Sequence, residues 1–226
     1  MPSWNIHLAH AERLLREEGA AALGIGDVNC FLFGNLVPDI YVGYMVPGIT
    51  KTVPYRITHV ADKHVVPIPK EREFWDAYVV DAGGRRIASD LTLGAWAHLA
   101  CDATYNGAVR AWFDERGITP GEEQRVGKQG DFAVYGRTLE VHTRPVVTDE
   151  LLRECKLFSQ YSIEEPDVRA TIRVADDIIQ TNEQKHLDHV WRFRLLDEEF
   201  FATTRERANS LMVERLAGLA RMSNKE

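Results

Sequence analysis

The chain has 226 residues, 45% of them hydrophobic and 27% charged, a balance that suits one globular domain with a sizeable core. Its net charge of −7 excludes a nucleic-acid-coating role, because no basic face is available to displace counterions from phosphates. Cys30, Cys101 and Cys155 are odd in number and widely spaced, which makes neither a disulfide framework nor a thiolate zinc knuckle.

The opening Met-Pro-Ser-Trp has no basic region followed by an apolar run, and no stretch reaches roughly 18 apolar residues. Neither a signal peptide nor a transmembrane segment is expected, and a cytoplasmic location follows from that reading. A small phosphorylated substrate stays compatible with the acidic charge, since bound dications alter the local field without altering the sequence.

Residues 4–20 place Ile6, Ala9, Leu14 and Leu15 near the helical repeat, and Gly19 closes the segment. The next apolar run, Val28 to Val37, ends at Pro38-Asp39. Residues 40–70 hold Pro47, Pro54, Pro67 and Pro69 and little periodicity, which predicts a long excursion with helical fragments, a feature often tied to function. Segment 71–80 reads as a short helix stopped by Gly83-Gly84. Segment 89–103 is apolar almost all round, as a core helix is.

Residues 123–140 continue as helix despite Gly127, Gly130 and Gly136. Thr148 reads as an N-cap for Asp149–Phe158. Ser162-x-x-Glu165 reads as a capping box with Pro166 near the first helical position, followed by a stripe of Val168, Ile172, Ala175 and Ile179. A final helix is expected from Leu196 to Met222. Trp75, Trp96, Trp112, Trp191 and Phe74 read as core. There is no repeat and no linker, so the expectation is all-α: one multi-helix domain over residues 1–226.

The chemistry-bearing residues sit on apolar backgrounds. His98 and Asp102 are four apart on the core helix, so both side chains share a face and can hold one cation. The spacing alone favours a His–Asp hydrogen bond between helices, since a buried ionisable group needs either a partner or a metal. Asp39 after proline could be a turn or cap. His59 taken singly reads as structural. His7 and His10 could share a solvated helix face. His64 could support His59 or lie in a loop, and His186-x-x-His189 reads as solvated or as part of a cap.

Taken together, Trp4, His7, Asp39 after a glycine-containing apolar run, Thr58-His59 and Gly94-x-x-x-His98-x-x-x-Asp102 resemble the zinc-dependent phospholipase C and S1/P1 nuclease superfamily, in its short bacterial phospholipase C-like branch. The resemblance covers roughly residues 1–140; residues 141–226 contribute supporting helices. It implies an all-α domain of that type and hydrolysis of a phosphoric ester, either a diester or a monoester, such as a phospholipid headgroup or a nucleotide. One metal would take Asp39, His59, His98 and Asp102, with Asp39 also the candidate catalytic base.

A neighbouring, weaker metal would take His7 and share Asp102, without the terminal amine that the family draws from an N-terminal Trp, because Trp4 is internal. The family's third metal is expected to be missing. Asn106 stands near one of its histidines and Asp131 near the other pair, with His142, His10 and His64 as further candidates. Zinc suits such a mixed nitrogen and oxygen set, and manganese or iron also fits. The rival expectation is a non-catalytic metal-binding or interaction protein on the same scaffold.

Overall fold

The computed structural model describes residues 2–190 and 192–223, and every regular element among them is helical. In chain order the helices are α1 (Trp4–Glu18), α2 (Val28–Gly34), α3 (Val37–Ile40), α4 (Tyr55–Thr58) and α5 (Glu71–Tyr78), then α6 (Asp90–Glu115), α7 (Glu122–Gly136), α8 (Asp149–Lys156), α9 (Glu165–Gln184) and α10 (Glu198–Ser223). Among the described residues extended pairing is confined to isolated bridges at Ala61–Pro69 and Val80–Arg86. One continuous apolar core joins residues from Trp4 to Leu219. No helix among the described residues is long and apolar enough to cross a membrane.

α6 is the central strut, running well beyond residue 103 and packing against α1, α2, α3, α5, α8 and α10. Its Leu91, Leu93, Trp96 and Leu99 are fully buried, each burial contributing roughly 1.5–3 kcal/mol. α1 is also enclosed over its first two turns, from Trp4 to Ala11, because α6, α9 and α10 surround it.

The crossing of α2 and α6 depends on two glycines. A Cβ on Gly94 would stand 2.1 Å from the Phe31 carbonyl oxygen and 2.8 Å from Gly34 Cα, and one on Gly34 would meet the Leu91 carbonyl at 2.3 Å. Only hydrogen fits at this contact. The backbones approach closely enough for the Asn35 carbonyl to reach His98.

Three local expectations are corrected. α5 stops at Tyr78, before Gly83-Gly84, because residues 79–88 fold back on themselves through the Val80–Arg86 bridge. Ser162 does not cap α9: its hydroxyl donates to Glu164, and Glu164 is the extended residue from which the helix starts. Trp112 is half-buried rather than core, its indole N–H donating to the Leu195 carbonyl. Thr148 does cap α8, accepting from the Leu151 N–H. The expectation for Trp191 lies outside the described residues.

Candidate metal centre

Five side chains from four places in the chain meet inside this core: His7 from α1, Asp39 from α3, His59 at the end of α4, and His98 and Asp102 from α6. All are at most 2% exposed. His59 Nε2 lies 3.4 Å from Asp39 Oδ1 and 3.7 Å from Asp102 Oδ2. His98 Nε2 lies 4.0 Å from Asp39 Oδ2 and 3.9 Å from Asp102 Oδ2. His7 stacks on His98 with ring centroids 3.8 Å apart, its Nε2 3.4 Å from Asp102 Oδ1.

Each residue is oriented from behind. The Trp4 indole N–H donates to Asp39 Oδ2 at 3.0 Å, and the Tyr55 hydroxyl donates to Asp102 Oδ2 at 3.3 Å. His98 Nδ1 faces the Asn35 carbonyl at 2.7 Å, so it carries the proton and leaves a lone pair on Nε2. Thr58 gives its hydroxyl proton to the Tyr55 carbonyl and accepts from His59 Nδ1 at 2.8 Å. A neutral His59 therefore also presents a lone pair at Nε2. Tyr55 stacks on the other side of the His59 ring.

These supports leave acceptors facing acceptors. The two imidazole Nε2 atoms stand 3.3 Å apart, a mutual lone-pair contact that only an intervening cation or proton makes favourable. Asp39 Oδ1, Asp102 Oδ1 and both ring nitrogens of His7 are buried without a hydrogen-bond partner. An unpaired buried polar atom costs about 1–3 kcal/mol, and several in one place mark a site that a ligand completes. The donor set, two carboxylates with three imidazoles, is of a kind that could hold a metal ion.

Electrostatics agree with that description. Burial, with His7 beside it, pushes the His98 imidazole down to about 3, so it is neutral and free to bind. Burial alone would push both carboxyls up. For Asp39, His59 and His98 outweigh it, and for Asp102, His7 and His98 do so, holding both below the ordinary carboxylate range. Two ligand triads can be drawn, His7 with His98 and Asp102, and Asp39 with His59 and His98. Both need His98 Nε2, its one inward nitrogen, so the two triads as drawn cannot both be filled at once.

Behind His59 the backbone is strained. Val60 has φ of +47°, in the left-handed region that a β-branched residue rarely adopts, at a cost on the order of 1–3 kcal/mol. The turn reverses the chain so that Lys70 N–H reaches the Val60 carbonyl. Asp39 alone of the five also lines an open cavity of about 530 Å³, whose walls include Tyr44, Met45, Tyr55, Arg125 and Lys128.

The further candidates lie elsewhere. His10, one turn beyond His7, is buried but satisfied: the Asn209 amide donates to its Nδ1 while the Asn209 oxygen accepts from Arg13, and its Nε2 faces the Tyr105 hydroxyl. Asp131 accepts three backbone N–H groups, from Arg194, Leu195 and Leu196, and organises the approach to α10. His142 is exposed beside Glu140 and Glu183. His64 is an exposed loop residue at the cavity mouth, its Nδ1 accepting from Val66 N–H. Asn106 is buried, with Nδ2 donating to the Pro67 carbonyl and Oδ1 toward Lys128. His186 and His189 are exposed. Sequence reading missed the supporting roles of Tyr55, Asn35 and Lys128; only the Thr-His pair and the Asn before an apolar turn hinted at two of these neighbourhoods. Compared with known proteins, the chain matches no family model, no curated protein and no solved structure.

Proposed function

We propose that this chain is a metal-dependent phosphoric ester hydrolase, similar in chemistry to zinc-dependent phospholipase C. The observation that carries the reading is a set of inward-facing lone pairs without donors, one of whose residues, Asp39, also lines a cavity of about 530 Å³. Asp39, His59, His98 and Asp102 would hold the cation, with His7 at its edge. When bound, a dication of this kind polarises phosphoryl oxygens and makes a nearby water more acidic.

The chain's own residues divide the remaining work. Asp39 reaches both the cluster and the cavity; its Oδ2 accepts from Trp4 and its Oδ1 has no hydrogen-bond donor, so this carboxylate is the candidate to accept a proton from an attacking water. Held below the ordinary carboxylate range, it is ionised, the form that can bind a cation or accept a hydrogen bond from water. Trp4, Tyr55, Thr58 and the Asn35 carbonyl fix the ligands in place, as surrounding hydrogen bonds do in metal sites generally.

A second reading, a non-catalytic metal-binding protein, draws on one observation: the two triads share His98, so a single cation with a closed shell of four side chains would serve as a structural pin. The test is a panel of aryl phosphate, nucleotide and phospholipid substrates, assayed with zinc and with manganese. The hydrolase reading expects turnover that a chelator abolishes and metal restores. Metal-loaded protein that hydrolyses none of them would favour the structural pin.

A further inference from the structure

Lys128 is a buried cation for which the packing of the core supplies no purpose. α7 carries it to the wall of the cavity that opens on Asp39, and the residue is 3% exposed. A buried ammonium is costly unless it is paired. Among the described residues no carboxylate lies within ion-pair distance of it, and its polar contact there is Asn106 Oδ1 at a long 3.5 Å. Asn106 is turned to offer that oxygen because its Nδ2 is committed to the Pro67 carbonyl at 2.8 Å. The lysine stem runs along Phe132, with Nζ 5.5 Å from the ring centroid. Among the described residues its direct contacts are thus neutral; burial lowers the basicity of the ammonium, and the Asp102 carboxylate and the Arg125 guanidinium act on it, in opposite senses, from beyond contact distance.

The balance of charge says what that point charge can receive. A dication held by Asp39 and Asp102 is offset by their two carboxylates. Arg125, the other cation on the cavity, is tied to Glu122 by two bonds of 2.6 and 2.7 Å. Lys128 is then the positive charge beside the cluster with no carboxylate among the described residues at ion-pair distance, Asp102 acting on it only from farther away. It is well suited to an anion entering a partly desolvated space, where charge-assisted hydrogen bonds are strong.

We propose that Lys128 is the oxyanion-binding residue of this cavity, its ammonium receiving a non-bridging oxygen of the substrate's phosphoryl group while the ester linkage faces the Asp39 cluster. The inference rests on the hydrolase reading and names the group that positions its substrate. Removing the charge weakens binding of any tetrahedral oxyanion, whatever carries it. Lysine to arginine keeps the charge and most of the affinity.

The probe is inorganic phosphate, titrated calorimetrically into zinc-loaded wild type, Lys128→Met, Lys128→Gln and Lys128→Arg, with zinc content and thermal melting measured on each. The expected result is about a ten- to hundredfold loss of phosphate affinity in the Met and Gln variants, with zinc content unchanged, and near-normal affinity in the Arg variant. Folded, zinc-loaded Met and Gln variants that bind phosphate as wild type does would overturn the role of Lys128 and leave the hydrolase reading standing. A zinc-loaded wild type that ignores phosphate would also overturn it. A wild type that takes up no zinc would overturn the hydrolase reading first, and this inference with it.

Discussion

His7 and His10 occupy adjacent turns of α1 and are both buried, yet their surroundings are opposites. His10 has both ring nitrogens partnered, by Asn209 and Tyr105, whereas His7 has neither. The same contrast separates the buried carboxylates. Asp131 takes three backbone N–H groups and Asp167 ties down Tyr41 and Thr50, while Asp39 and Asp102 each keep an oxygen unpaired. Saturated buried groups serve the fold, and unsaturated ones gathered in one place are poised for something outside it. Helix position and burial, taken without partners, do not distinguish the two classes.

The comparison breaks most visibly in acid. Burial holds the His10 imidazole down at about 4, against 6.5 in the unfolded chain. Between those values the unfolded chain binds the extra proton, so this contribution is complete above pH 6.5 and is lost as pH falls toward 4. His10→Gln should flatten the stability curve of the chelated protein over that window by up to about 1.4 kcal/mol per pH unit. Urea unfolding at several pH values checks it, and an unchanged slope would place the titration elsewhere.

Asp131→Ala leaves three backbone donors without their acceptor. A loss of about 1–3 kcal/mol is expected, with metal content unaffected, read by denaturant melts and elemental analysis of the same sample. His7→Leu tests the opposite class. In chelated protein it removes two nitrogens without hydrogen-bond partners but also the imidazole that helps keep Asp102 ionised, so stability should stay within about 1 kcal/mol of wild type; a larger loss would mean that His7 is satisfied in a way the site account omits. Trp4→Phe removes the indole donor to Asp39 together with part of a fully buried ring. It should leave the fold intact and lower metal affinity by about 10–100-fold, measured by competition with a zinc indicator.

The contrast also explains what was legible in the sequence. The long helices were in large part, because α6 is apolar nearly all round over residues 89–103, though it runs on to Glu115, and Val168, Ala175 and Ile179 repeat with the helical period on α9. The residues that meet in the cluster could be nominated from their types and order, because His98 and Asp102 share a face and Asp39 and His59 end apolar or helical stretches. Partners could not. Nothing local distinguishes Asp131 from Asp102, since the N–H groups that satisfy Asp131 come from residues 194–196. Nothing local distinguishes His10 from His7, since Asn209 lies 199 residues away. The Asn35 carbonyl that sets the His98 tautomer depends on the Gly34–Gly94 crossing, a tertiary contact that propensity does not encode. The Ser162 box failed because Glu164, two residues on, begins the helix in its place.

The central claim is that the unsatisfied cluster is a metal site whose shared ligand is His98. Elemental analysis after zinc loading and desalting, on wild type beside His98→Ala, tests it most directly, with circular dichroism confirming that both are folded. The account predicts one tightly held zinc per wild-type chain, any second ion being lost on desalting, and almost none in the variant, because both triads lose the nitrogen they share. A folded wild type that retains no zinc, or a His98→Ala variant that retains as much as wild type, would contradict it.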